Sequence, residues 1–157
     1  MRSAVFACLL LLAGCGFQLQ GRQVLPASLA SLQIDAADRQ SEFVHALRAS
    51  LTASGSRLVE RAAADGAVLH ILRDAVTERV LSVDARNIPT DFELTYDVEL
   101  EVRAGGQELM AAEAFMLSRI YSFDETKLLA KEREKDILRA ALARDMASVV
   151  TRRLSAL

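Results

Sequence analysis

The sequence predicts an α/β fold of the α+β sandwich type, with two α-helices on one face of a four-stranded, mostly antiparallel or mixed β-sheet. Three observations predict it. Residues 92–103 alternate strictly between apolar and polar, a run of apolar residues at helical spacing follows Ser41, and no glycine or proline occurs after Asp124. The predicted order is strand, helix, three strands, helix, and the second sheet face stays polar.

The first strand and the first helix are marked by local signals. In "LASLQID", residues 29–35, Leu32 and Ile34 alternate with polar neighbours, which is typical of a short strand. Ser41 supplies a side-chain cap, and Gly55 ends the helix that follows. The apolar residues that recur at spacings of three and four in this helix are Phe43, Val44, Leu47 and Leu51.

The middle of the chain predicts three long strands. Residues 67–82 are rich in β-branched and aliphatic residues and favour a strand with a bulge near Asp74, although a helix remains an alternative. The next strand, residues 92–103, has one apolar face toward the core and one acidic face toward solvent. Gly105 and Gly106 form a tight turn, and residues 108–121 return as the antiparallel partner. The apolar members of the alternating strand are Phe92, Leu94, Tyr96, Val98, Leu100 and Val102.

A long C-terminal helix completes the prediction. Ser122 and Glu125 match a capping box, and "KEREKD" at 131–136 is interpreted as a solvated stretch. The apolar residues expected on the inward face are Leu128, Ile137, Leu138, Leu142, Met146, Val149 and Val150.

The N-terminus has the features of a secretion signal. Arg2 precedes ten consecutive apolar residues, 4–13, which are too few to span a bilayer of about 30 Å but suit a signal peptide. "LAGC", residues 12–15, resembles the bacterial lipobox, which implies cleavage before Cys15 and lipid attachment to its sulfur and new amino group. Gly16, rather than an aspartate, is consistent with the outer membrane. The alternative is an ordinary secreted protein with an unmodified cysteine.

These boundaries divide the chain into a lipoprotein signal peptide (1–14), a lipidated lead-in (15–28) and one domain (29–157). No cofactor is expected beyond the N-acyl and S-diacylglycerol groups on Cys15. The formal net charge of the 157-residue chain is −2, and loss of Arg2 makes it one unit more negative. A chain of this charge lacks the basic surface that nucleic-acid binding needs, so no nucleic-acid partner is expected.

Candidate catalytic residues are few. His45 and His70 are the only histidines and match no metal-ligand spacing, and the serines lack a nucleophile motif. The acidic row on the alternating strand is interpreted as a solvated sheet face rather than a metal site. We therefore expect no catalytic site and no metal site.

Five stretches together resemble one protein family. They are "CGFQLQG" from Cys15, the "LP" that follows, "LSVDARNIPTDFELTYDV" from Leu81, "SRIYSFD" from Ser118, and "LLAKEREKDIL" in the last helix. Their order and spacing resemble the lipopolysaccharide-assembly lipoprotein family LptE. The resemblance implies a non-enzymatic lipoprotein on the periplasmic face of the outer membrane, which plugs and helps assemble the β-barrel LptD in a 1:1 complex and binds lipopolysaccharide during its insertion.

The resemblance also assigns lipopolysaccharide contacts to Arg86 and Lys131. Gln18 and Gln20 replace basic residues of many relatives, and Ile88 stands where a glycine is common after "RN". Two other functions remain open: a lipoprotein scaffold for other envelope machinery, and a lipid-anchored hydrolase that uses Ser118 or a histidine.

Overall fold

The computed structural model describes residues 24–157, which form one mixed β-sheet and two α-helices. The elements are β1 (Ser31–Ala36), α1 (Glu42–Ala53), β2 (Arg57–Val59), β3 (Ala67–Val83), β4 (Pro89–Ala104), β5 (Gln107–Ser122) and α2 (Leu128–Leu154). Two 3₁₀ turns, Ala27–Leu29 and Glu125–Lys127, precede β1 and α2. The sheet order is β2-β1-β3-β4-β5, with β1 parallel to both its neighbours and the β3–β4 and β4–β5 pairs antiparallel.

The helix-on-sheet prediction is confirmed, but the sheet has five strands in the described residues rather than four. The additional strand, β2, has three residues and pairs with β1 from Ser31 to Gln33. Three residues are too few to establish an alternating pattern, so the sequence showed only a loop between α1 and β3. The predicted bulge in β3 corresponds to a register shift between Ile71 and Arg73.

The alternating pattern of β4 separates the two faces of the sheet. Leu94, Tyr96, Val98, Leu100 and Val102 are all buried beneath the helices. The acidic residues between them face the other way, where arginines of β3 and β4 pair with them: Arg73 with Asp97 at 3.1 Å, Arg79 with Glu93 at 2.5 Å and Arg103 with Glu101 at 3.7 Å. The second face is therefore polar, as predicted, and it is crossed by ion pairs.

Helix α1 begins and ends as its sequence predicts. The Ser41 hydroxyl accepts a hydrogen bond from the Val44 amide at 3.1 Å, which satisfies one of the unpaired N–H groups of the first turn. At the other end Gly55 adopts φ +94°, and the Ser56 amide donates to the Leu51 carbonyl at 3.0 Å. The helix buries Phe43, Val44, Leu47 and Leu51.

Helix α2 differs from the prediction at its start. Ser122 ends β5 instead of capping the helix, and Asp124 accepts a hydrogen bond from the Thr126 amide to open the 3₁₀ turn. The expected inward face is right for the C-terminal half and wrong for Leu128 and Ile137, which are exposed. The residues of α2 that are buried are Leu142, Ala143, Met146, Ala147, Val150, Thr151 and Leu154.

Candidate functional site

The turn between β3 and β4 is organised by Asp84 and presents Arg86. The Asp84 carboxylate accepts hydrogen bonds from the backbone amides of Arg86 (2.8 Å) and Ile88 (2.9 Å). Asn87 has a positive φ of 64°, a conformation that asparagine tolerates better than most residues. This network fixes the backbone on both sides of Arg86.

The Arg86 side chain is exposed although it has an acidic neighbour. Its Nε donates to the Asp84 carboxylate at 3.0 Å, and 69% of the side chain remains accessible. The hydrogen bond from the Ile88 amide, followed by those from Arg86, lowers the pKa of Asp84, so the pair is charged at neutral pH. A guanidinium carries five N–H donors, and most of the Arg86 side chain is accessible to solvent.

Lys131 lies in the first turn of α2 and is largely covered. Its side chain is 16% exposed, and Nζ contacts the Glu134 carboxylate at 2.7 Å. An anionic ligand would therefore have to compete with Glu134 for the ammonium. Arg86 presents the more accessible of the two charges.

The topology brings Arg86 and Lys131 to the same end of the sheet. The β3–β4 turn continues into β4. The first residues of β4 pair with the last residues of β5, so that Asp91 lies opposite Ser122. The chain then passes through the turn 125–127 into α2. We call this end of the molecule, formed by residues 80–92 and 120–131, the tip.

Exposed apolar side chains also occur at the tip. Leu129 is 81% accessible, and five other large apolar residues of the tip are at least one-third exposed. Isolated exposed apolar residues are ordinary, whereas a group of them beside charged residues is typical of an interaction surface. The five are Val80, Leu81, Val83, Ile120 and Leu128.

The sequence analysis did not identify this apolar group. Leu128 and Leu129 are adjacent on a helix, so their side chains point about 100° apart and both cannot face the core. Likewise, Val80 and Leu81 are adjacent in β3, at a register shift in its pairing with β4, and both are exposed. These two pairs of adjacent apolar residues were the signal from which the exposed apolar group could have been predicted.

Nothing in the described residues assembles the predicted candidates of a hydrolase. His45 Nε2 contacts the Gln40 side chain at 3.1 Å, and His70 Nδ1 contacts Asp35 at 3.0 Å, so each histidine is joined to a neighbour other than a serine. Ser118 lies on β5, beside Arg119 and Asp145, in a shallow groove. Within residues 24–157 no group of three potential metal ligands occurs.

A cavity of about 510 Å³ lies between α1, β3 and α2. Its charged groups are already paired: Ser41 donates to Asp74 at 2.5 Å, and Lys135 contacts Glu78 at 2.5 Å. Burial, and then the negative charge of Asp74, raises the pKa of Tyr96, while the hydrogen bond with Glu78 raises the pKa of Lys135. Tyr96 therefore remains a neutral phenol. The polar groups that line this cavity mainly contact one another across the boundary between the helices and the sheet.

Cys15 and the leader 1–14 lie outside the described residues. In the described part of the chain, no helix is both long and apolar enough to span a bilayer. The chain is thus a small helix-on-sheet domain with a polar sheet face and exposed apolar side chains at the tip.

Comparison with known proteins identifies the family. A family model described as "LptE: Lipopolysaccharide-assembly" matches residues 29–154, and the chain therefore belongs to this family of lipopolysaccharide-assembly lipoproteins. Two relatives named LPS-assembly lipoprotein LptE are similar over 92% of this chain. The protein from Pectobacterium atrosepticum is 26% identical with 79% of its length covered, and that from Yersinia enterocolitica is 25% identical with 70% covered.

Solved structures agree with this assignment. The rare lipoprotein B of Shewanella oneidensis has a TM-score of 0.71 at 25% identity, covering 80% of this chain and 94% of that one. Lipoprotein B of Nitrosomonas europaea has a TM-score of 0.73 at 26% identity, covering 90% of this chain and 91% of that one. Both share the arrangement of two helices on a mixed sheet.

Proposed function

We propose that this chain is an outer-membrane lipoprotein that plugs and helps assemble the β-barrel LptD in a 1:1 complex, and that it binds lipopolysaccharide during insertion into the outer leaflet. The observation that carries the proposal is the family match over residues 29–154. The polar sheet face adds support, because a domain held inside a barrel must present a polar surface to a polar interior. The chain acts by binding and catalyses no reaction.

The anchor in this proposal is Cys15, at the mature N-terminus after removal of residues 1–14. Each buried methylene contributes roughly 0.8 kcal/mol, so several acyl chains hold the protein on the periplasmic face of the membrane. Mass spectrometry of protein from intact cells should show three acyl chains on Cys15. Cys15→Ala should abolish the modification, whereas Cys8→Ala, in the leader, should leave it unchanged.

Lipopolysaccharide would bind at the tip. Its phosphorylated head group matches the Arg86 guanidinium, which can hold two phosphate oxygens at once, and the Lys131 ammonium, which acts as a point charge. The exposed apolar residues of the tip, among them Leu129 and Ile120, give the acyl chains a surface on which to lie. Both parts of an anionic lipid thus find a complementary group at one end of the molecule.

Purification from detergent-solubilised outer membranes tests the partner. One large β-barrel protein should co-purify with the full-length protein in a 1:1 molar ratio. Recovery of a set of other lipoproteins without a barrel would instead establish a scaffold for different envelope machinery. Replacement of His45 and His70 together by Gln should leave growth and barrel assembly unchanged, and a loss of either would favour the hydrolase.

A further inference from the structure

We propose that the outer edge of β5, together with the groove between β5 and α2, binds an extended segment of the β-barrel partner, which pairs with β5 as a sixth strand. The inference rests on the proposed function, since it names the surface that the partner uses. Two separate features of the structure point to it: an unpaired strand edge, and a groove of matching shape beside that edge.

The first feature is the length of the free edge. β5 contains 16 residues and is the last strand of the sheet, so among residues 24–157 its outer N–H and C=O groups have no strand partner. Long exposed edges invite pairing with another chain, and proteins usually shorten or charge them. The opposite edge, β2, is only three residues long. β5, by contrast, is uncharged from Ala114 to Ser118.

The second feature is the groove that runs beside this uncharged segment. It has a volume of about 410 Å³ between β5 and the C-terminal half of α2. Leu117, Leu142 and Val149 form its apolar part, and polar residues line its rim. A side chain of an added strand that points to the helix side of the sheet would enter this groove.

The size of the groove favours a strand over a helix. A helix with its side chains is about 10 Å across, so 410 Å³ corresponds to roughly one helical turn. An extended segment needs room for a single side chain at a time, because its other contacts are backbone hydrogen bonds along the edge. Strand addition beside a helix-lined groove is an established way of recognising peptides.

Charge specifies the segment further. Arg119 is paired with Asp145 at 2.5 Å on the rim, whereas the Arg152 guanidinium makes no ion pair within the described part of the chain. Successive side chains on one face of a strand are two residues apart. The segment should therefore carry an apolar side chain for the groove and a carboxylate two residues away for Arg152.

Hydrogen exchange of the full-length protein, alone and in the purified barrel complex, tests this surface. Within residues 111–119, the amides that point away from β4 should exchange at least about tenfold more slowly in the complex, and those of the β2 edge should not change. Unchanged exchange across β5 in an intact complex would overturn the inference while the proposed function stands. If no barrel co-purifies, both fail together.

Groove-filling variants supply the second measurement. Ser148 is an exposed lining residue, and Ser148→Trp should close the groove and reduce photocrosslinking from position 118 to the barrel about tenfold. Ala49→Trp on α1 is the matched control, because Ala49 is also an exposed small helical residue. Equal crosslinking by the two variants would contradict the inference. A dimer of the protein alone that masks β5 would assign the edge to a second copy and also overturn it.

Discussion

Asp84 positions Arg86, and its protonation state controls the β3–β4 turn. Its pKa is lowered by hydrogen bonds present in the folded chain, so the carboxylate stabilises the turn above the ordinary pKa of 3.8 and this contribution is lost as the pH falls through the lowered value. Amide exchange at Ile88 should therefore accelerate below pH 3.8. Asp84→Asn removes the titration, and exchange at Ile88 in that variant should not depend on carboxylate protonation. A similar acceleration in both proteins would exclude Asp84 as the cause.

The two cations of the tip carry the lipopolysaccharide prediction. Arg86→Asp with Lys131→Asp should weaken binding of purified lipopolysaccharide at least about tenfold, since each charged hydrogen bond contributes roughly 1.5–3 kcal/mol. We expect thermal stability and barrel recovery to persist, and a melting curve and co-purification of the same double variant check this.

The control for this prediction has the same charge change elsewhere. Arg57 and Arg61 are exposed residues outside the tip, and Arg57→Asp with Arg61→Asp should leave binding nearly unchanged. If the two double variants lose affinity equally, the effect comes from net charge. If neither loses affinity, the assignment of Arg86 and Lys131 is wrong.

At the scale of elements, the two halves of α2 are held by different forces. Leu142 is 1% exposed against the sheet, whereas Ile137, five residues earlier, is 66% exposed. Leu142→Asp buries an unpaired charge and should cost several kcal/mol, lowering Tm by about 10 °C or more. Ile137→Asp should change the free energy of unfolding by less than about 0.5 kcal/mol. Similar melting curves for the two variants would show that the inward face of α2 is assigned incorrectly.

The N-terminal half of α2 is attached to the rest of the fold largely through ion pairs. Lys135 contacts Glu78 at 2.5 Å, and Arg139 contacts Glu42 at 3.7 Å. Lys135→Ala should accelerate amide exchange in residues 128–138 and leave 142–154 protected. Arg133→Ala is the matched control, because Arg133 is exposed and makes no ion pair in the described residues. Equal exchange in the two variants would mean that packing holds this half.

These elements show how far sequence patterns reach. β4 and α1 were predictable because one face of each is buried along most of its length, which imposes a period of 2.0 or 3.6 on the residues. β2 and the start of α2 were not, since three residues show no period and the N-terminal half of α2 buries little. Of the tip, the sequence analysis named only Arg86 and Lys131, and it did so from the family resemblance. Its exposed apolar residues were missed because, in a sequence, they look the same as core residues until the fold is known.

At the scale of the whole molecule, the proposed lipid-binding and barrel-binding surfaces consist of different residues, although they adjoin on β5. The tip lies at the end formed by residues 80–92 and 120–131, and the groove lies along the side between β5 and the second half of α2. Variants more than about 7–10 Å apart with no shared partners usually act independently. The two functions should therefore separate. Ser148→Trp should lose barrel crosslinking and keep lipopolysaccharide affinity, and the Arg86, Lys131 double variant should show the reverse.

The combined variant completes this test. The combined variant carries Ser148→Trp together with the charge reversals at Arg86 and Lys131. If the two surfaces are independent, it should lose as much barrel crosslinking as Ser148→Trp alone and as much lipopolysaccharide affinity as the double variant alone. Lipopolysaccharide binding is measured on the protein alone, and crosslinking is measured in membranes. An added loss in either measurement would mean that the β5 edge and the tip are coupled. β5 itself is the element that could couple them, because it runs from the groove at Leu117 to the tip at Ile120.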